Sequence, residues 1–152
     1  MRLKLEINTR EHFTVLGPHR RALAVDSDWF AGSIEINTYE LEELLGTKLR
    51  ALYQRKKGRD LFDLWLGLTS LGADPAKVIE CFEHYMDHGG TPVTRAEFEA
   101  NLAAKLRSEQ FLDDITPLLP RDATYDVAAA DAHVREHLIA KLRGDPWKGD
   151  GG

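Results

Sequence analysis

Cysteine is almost absent from this chain. Cys81 is the only one in 152 residues, which excludes an internal disulfide framework and fits a protein kept in a reducing cytoplasm. A basic excess is missing as well. Twenty Lys and Arg stand against 25 Asp and Glu, for a net charge of −5. No global positive field therefore draws in nucleic acid, and any phosphate contact has to come from a local cluster. No apolar run reaches the roughly 18 residues of a membrane span. The opening residues, Met1 to Glu11, carry no apolar signal-peptide core. There is no internal repeat and no low-complexity linker. What is present is a 43% hydrophobic chain, long enough for one domain with a real core. The expectation is a soluble cytoplasmic protein.

The texture changes once along the chain. In the first part Leu3, Leu5 and Ile7 alternate with Lys4, Glu6 and Asn8, the period-two pattern of a half-buried strand. His12 to Leu16 reads as a second strand, ended by Gly17-Pro18, and Arg21 to Val25 and Ser33 to Asn37 as two more. The short spacers imply antiparallel pairing. From Thr38 onward the period is helical. Leu41, Leu44, Leu45, Leu49 and Leu52 recur at helical spacing behind an Asn37 or Thr38 cap, with Glu40, Glu42 and Glu43 in the first turn. Gly58 ends that helix, and a second follows from Arg59. Asp74-Pro75 and the capping box Thr94 to Glu97 open two more. Ser108 to Leu119 is a shorter helical stretch, and Asp126 to Leu142 a final amphipathic helix. The expected fold is α+β, a small antiparallel sheet followed by a C-terminal helical bundle. The expected divisions are a partial sheet over 1–37, a helical domain over 38–143 and a disordered tail over 144–152.

Chemistry concentrates between Lys48 and Asp63. Lys48, Leu52 and Arg55 share one helix face by i, i+4, i+7 spacing. The chain then turns at Gly58, and Arg59, Asp60 and Asp63 follow within one turn of the next helix. Such a hairpin brings Lys48 towards Asp60 or Asp63, and cations beside paired carboxylates can hold a polyphosphate. A solvated basic turn whose arginines bridge to nearby acids satisfies the same spacing. Lys48 argues against it, because it sits among Leu44, Leu45, Leu49 and Leu52 and needs a partner there.

The run from Glu43 to Leu64, with Lys48-Leu-x-Ala-Leu-x-x-Arg55, a short gap and Arg59-Asp60-x-x-Asp63-Leu, resembles the C-terminal motif of the AbiEii/AbiGii toxin-type nucleotidyltransferases. These are toxins of type IV toxin–antitoxin and phage abortive-infection systems. The strand Lys4 to Ile7 is similar to the family strand bearing a third active-site carboxylate, and Trp29 to Glu40 to its approach to the motif helix. The resemblance covers about residues 1 to 70. It implies transfer of a nucleotidyl group from GTP or another NTP, with Mg²⁺, to an acceptor such as a tRNA end or a protein. It implies a cognate antitoxin as partner. Glu6 would be metal ligand or base, Lys48 would bind the donor phosphates, and Asp60 and Asp63 would position them. Lys4, Arg55 and Arg59 would supply charge for nucleotide or RNA. Family members carry Gly-Ser and then Asp-x-Asp ahead of this region, and no such segment stands before Lys4. Asp26-Ser27-Asp28 reads as a turn before Trp29. The expectation is therefore the C-terminal part of such an enzyme, inactive by itself. A non-catalytic helical binding module, or a decayed toxin remnant, is the rival.

Two histidine patterns complete the inventory. Cys81-x-x-His84-x-x-x-His88 reads as a core cysteine with surface histidines, since no fourth ligand is evident. His133 and His137 with Glu136 match no zinc-protease order. Asp113-Asp114 reads as a solvated helix face.

Overall fold

The computed structural model describes residues 13–120 and 123–149. Its elements are a hairpin of β1 (His19–Ser27) and β2 (Phe30–Thr38), then α1 (Leu41–Gln54), α2 (Gly58–Ser70), α3 (Pro75–His88), α4 (Arg95–Leu106), a short α5 (Glu109–Leu112) and α6 (Val127–His137). Single 3₁₀ turns follow α5 and α6, at Asp113–Leu118 and Ile139–Lys141. The α+β expectation holds. Arg21 to Val25 and Ser33 to Asn37 fall inside the two strands, which pair antiparallel from His19 opposite Thr38 to Ser27 opposite Phe30. The strand expected over Leu3 to Asn8 lies outside the described residues.

Phe13 to Leu16 is not a strand. Its alternation is real, but its backbone donors go elsewhere: the N–H groups of Val15 and Leu16 donate to the Glu43 carboxylate at 2.8 and 3.0 Å. A side chain on α1 has taken the role of a neighbouring strand. The cap of α1 also differs. Thr38 and Asn37 belong to the ladder, and Glu40 occupies the N-cap position without a side-chain cap bond. Its carboxylate faces the hairpin instead, 2.7 Å from His19 Nδ1 and 3.8 Å from an Arg21 amine.

The core lies among the helices. α1 packs chiefly on α3 and α2, and α2 on α6. Leu45, Leu49 and Leu52 of α1 meet Leu61 and Leu64 of α2, with Val78, Phe82, Phe98 and Val134 from the other helices in the same cluster. The α1–α3 crossing is close because Gly46 faces Cys81: a Cβ on Gly46 would lie 2.6 Å from the Cys81 Cβ. Both positions are small for that reason. Gly58 does not break α1, which ends four residues earlier; it is the first residue of α2, seated so close to α5 that a Cβ would fall 2.1 Å from the Phe111 carbonyl oxygen. Asp74 and Thr94 cap α3 and α4 through their side chains, the latter in a complete capping box with Glu97. Past the last 3₁₀ turn, the Trp147 N–H donates to Glu99 at 2.7 Å.

Candidate functional site

The site grows from the α1–α2 corner. Leu52 is fully buried beneath it, which holds its two neighbours on the same face, Lys48 and Arg55, against the start of α2. Lys48 Nζ lies 2.6 Å from Asp63 Oδ2 and 3.6 Å from Asp60 Oδ1. Arg55 grips Asp60 bidentately, Nε to Oδ2 at 2.7 Å and a terminal amine to Oδ1 at 2.6 Å. Asp60 is wholly withdrawn from solvent. A buried carboxylate needs its charge answered locally, and here two cations from α1 answer it. Its hydrogen bond holds the Arg55 guanidinium protonated beyond the usual arginine range. Lys48 keeps 28% of its side chain exposed. With Asp63 it opens onto a cavity of about 210 Å³ whose other walls are apolar, including Leu41, Leu45 and Leu66. The corner is thus a fixed ammonium at the rim of an apolar cavity, steered by one partly exposed and one buried carboxylate.

Lys48, Asp60, Asp63 and Arg55 converge as their spacing suggested. Arg59 does not join them. Its guanidinium and backbone N–H both donate to Asp114, at 3.0 to 3.3 Å, and Lys57 Nζ meets the same carboxylate at 3.2 Å. Asp114 is correspondingly not a solvated helix face. Burial raises its pKa, but the bonds from Arg59 and Lys57 outweigh burial and hold the carboxyl below its usual range. Asp114 ties the turn after α5 to the α2 N-terminus, where a carboxylate is also favoured by the helix dipole. Lys4 and Glu6 lie outside the described residues, as does the expected approach of Glu6 to Lys48.

Two buried polar groups, Glu43 and Lys105, and a third that is largely covered escaped the sequence reading. Glu43, fully buried, accepts from Val15, Leu16 and the Tyr85 hydroxyl, the last at 2.7 Å. Its position three residues before Gly46, and so towards the α3 crossing, is the signal that marks it. Lys105 stands one turn after Leu102 and two after Phe98 on the apolar stripe of α4, and it is nearly buried. Its ammonium donates to the Leu52 and Tyr53 carbonyls, the latter at 2.6 Å, placing a cation on the C-terminal turn of α1 directly below Arg55. Asp114 is the third.

Burial lowers the Lys105 pKa to about 8 from 10.5, against a raising influence from Asp60. The unfolded chain therefore binds the extra proton between those values, and stability rises with pH across that window. Lys105→Met removes the effect. Wild-type stability relative to Lys105→Met is expected to climb by on the order of 3 kcal/mol from pH 8 to 10.5, measured by urea unfolding. A flat difference would show that Lys105 is not desolvated.

The carboxylates of the corner do not suit a divalent cation. Asp60 spends both oxygens on Arg55, Asp63 faces Lys48, and among the described residues no group of three or more His, Cys, Asp or Glu is placed to hold a metal ion. Cys81 is buried at the helix crossing, and burial raises its thiol pKa to about 11. Phe13 lies against both His84 and His88, with ring centroids 5.4 and 4.3 Å away. Asp26 and Asp28 sit at the hairpin tip, where Ser27 and Phe30 exchange hydrogen bonds.

A family model described as the nucleotidyl transferase AbiEii toxin of type IV toxin–antitoxin systems matches residues 1–133. No curated protein and no solved structure matches the chain. With the matched residues spanning the hairpin, the Lys48 corner and most of α6, the chain belongs to the AbiEii nucleotidyl transferase toxin family.

Proposed function

We propose that the α1–α2 corner binds the phosphates of a nucleoside triphosphate for nucleotidyl transfer, with Lys48 as the contacting cation. The observation that carries this reading is the placement of Lys48: a partly exposed ammonium, 2.6 Å from Asp63 at a cavity rim, with buried Asp60 behind it. Asp63 and Asp60 fix where the ammonium points before the donor arrives. A pre-oriented cation acts more strongly on developing phosphate charge than a mobile one, because no reorganisation is needed at the moment of reaction. When donor phosphate meets the exposed side of the ammonium, Lys48 shares its protons between phosphate and Asp63. Arg55 neutralises Asp60, so that the buried carboxylate does not repel the donor. The apolar walls beside Lys48 limit water at the same point.

In this reading the Mg²⁺ of the donor is held by carboxylates other than Asp60 and Asp63, Glu6 among them, and the role of Lys48 stands without it. Lys4 and the exposed edge of Arg55 add positive charge towards the donor or an RNA acceptor. Arg59, held by Asp114, serves first to seat α2. The acceptor is a tRNA end or a protein. A toxin–antitoxin family implies a cognate antitoxin.

The test is incorporation of label from each α-labelled NTP into total RNA and protein, with Mg²⁺, by a transfer-competent form of the protein that includes a Gly-Ser/Asp-x-Asp segment and by Lys48→Ala in that same form. Loss of a pre-oriented cation from a transferred phosphate is expected to reduce incorporation by about a hundredfold or more. Equal incorporation by the two proteins removes Lys48 from the reaction.

A further inference from the structure

The cavity beside Lys48 does not end at the corner. Its walls Leu41, Leu44 and Leu71 are also walls of a second cavity, of about 370 Å³, that reaches Arg21 and Tyr39 where the hairpin meets α1. The two make one trough along α1, because Leu41, Leu44 and Lys48 stand at i, i+3 and i+7 on a single helix face. Leu44 and Leu71 are 45% and 58% exposed, so the trough is floored by large apolar side chains at the surface. From Lys48 to Leu41 it runs two helical turns, about 10 Å of axis. A polyphosphate alone has no use for such walls. They suit a ligand whose anion is joined to an apolar-faced group, held by a few polar contacts at its ends.

We propose that the far end of the trough is a nucleobase subsite, in which the base of the nucleotide stacks on Tyr39 while its phosphates meet Lys48. The inference rests on the reading of Lys48 as the phosphate contact. The two ends of the trough differ in the way the two ends of a nucleotide do. One end holds the ammonium of Lys48. The other holds an exposed aromatic ring, Tyr39, and a guanidinium, Arg21. Between them lie the two turns of Leu41 and Leu44, the stretch that the sugar has to cross. The Arg21 side chain is 60% exposed, and its terminal amine lies 3.8 Å from Glu40 Oε2, too far for a hydrogen bond. Its donors are therefore not spent on Glu40 and remain for acceptors on a base edge. An aromatic ring for the face of a base and an arginine for its edge are the contacts that proteins use to hold nucleobases. An acyl phosphate would match the apolar floor but gain nothing from Tyr39 and Arg21.

The test is calorimetric titration of the full 152-residue chain with ATP, GTP, CTP and UTP, beside inorganic tripolyphosphate in the same buffer. The tightest of the nucleotides should bind about tenfold or more tighter than tripolyphosphate. Tyr39→Ala should weaken that nucleotide about tenfold and leave tripolyphosphate unchanged, and Tyr39→Phe should bind both as the wild type does. Leu71→Ala, at an exposed position, should act in the same direction to a smaller extent, and it decides the matter if circular dichroism shows Tyr39→Ala unfolded. Nucleotide and tripolyphosphate binding of equal strength in the wild type overturns the proposal. So does a folded Tyr39→Ala that weakens neither ligand or both alike. If tripolyphosphate binding depends on Lys48 while nucleotide binding ignores Tyr39, the base subsite falls and the phosphate contact stands. If Lys48→Ala leaves both ligands unchanged, or the wild type binds neither, the reading of the corner falls and the subsite with it.

Discussion

Asp60→Asn is expected to destabilise the protein by about 3–5 kcal/mol, the range for breaking a buried ion pair from one side. The carboxylate has no solvent access, and each oxygen receives a short bond from Arg55 while Oδ1 also lies near Lys48. An amide of the same shape keeps one acceptor and turns two N–H donors towards cations. Arg55 is half exposed and can rehydrate, so the cost comes chiefly from the buried side. In a chain of this length that loss corresponds to a fall in Tm of roughly 10 °C or more. The same substitution releases the second anchor of Lys48, so nucleotide binding should weaken even in the fraction that stays folded. Calorimetric unfolding of the variant measures the first effect. A loss under about 1 kcal/mol, the scale of an exposed pair, would mean that Asp60 is hydrated in solution and that the corner is not pre-organised.

Glu43→Ala should cost a similar amount, about 3–5 kcal/mol, by a different route. It removes no cation pair among the described residues. It leaves two backbone N–H groups and a buried Tyr85 hydroxyl without their acceptor, each an unsatisfied donor worth about 1–3 kcal/mol where water cannot replace the carboxylate. Glu43→Gln keeps one carbonyl oxygen and should lose about half as much. The distinguishing readout is hydrogen exchange at Val15 and Leu16. Both amides should be protected in the wild type and exchange freely in Glu43→Ala, while amides of α2 keep their protection. If Val15 and Leu16 exchange equally fast in both proteins, the carboxylate does not hold that segment.

The helical part was legible because its signals are local. Asp74-Pro75 and Thr94 to Glu97 announce their helices through caps that depend only on nearby residues. The Lys48, Asp60 and Asp63 convergence followed from helical spacing plus a short turn. What could not be read depends on partners far along the chain. Phe13 to Leu16 alternates like a strand, but its donors are claimed by a glutamate 27 and 28 positions later. Asp113-Asp114 has the composition of a surface, yet Asp114 keeps only 9% of its side chain exposed because α5 folds its carboxylate onto the α2 N-terminus, 55 positions from Arg59. Arg59 shows the same dependence: its spacing sets it one turn from Asp63, and the tertiary fold gives its guanidinium to Asp114. Lys105 looks like a surface lysine until the α1 carbonyls above it are seen. In each case a charge chose its partner through packing, which periodicity does not encode.

The central claim is that Lys48 is held ready for phosphate. Its most direct measurement is equilibrium titration of the full chain with a nucleoside triphosphate, beside the monophosphate, for the wild type and Lys48→Ala. Removing one charge-assisted phosphate contact is expected to weaken triphosphate binding by about tenfold or more, with a much smaller change for the monophosphate and with the Tm of the variant showing it folded. Triphosphate binding of equal strength in the folded variant would contradict the claim.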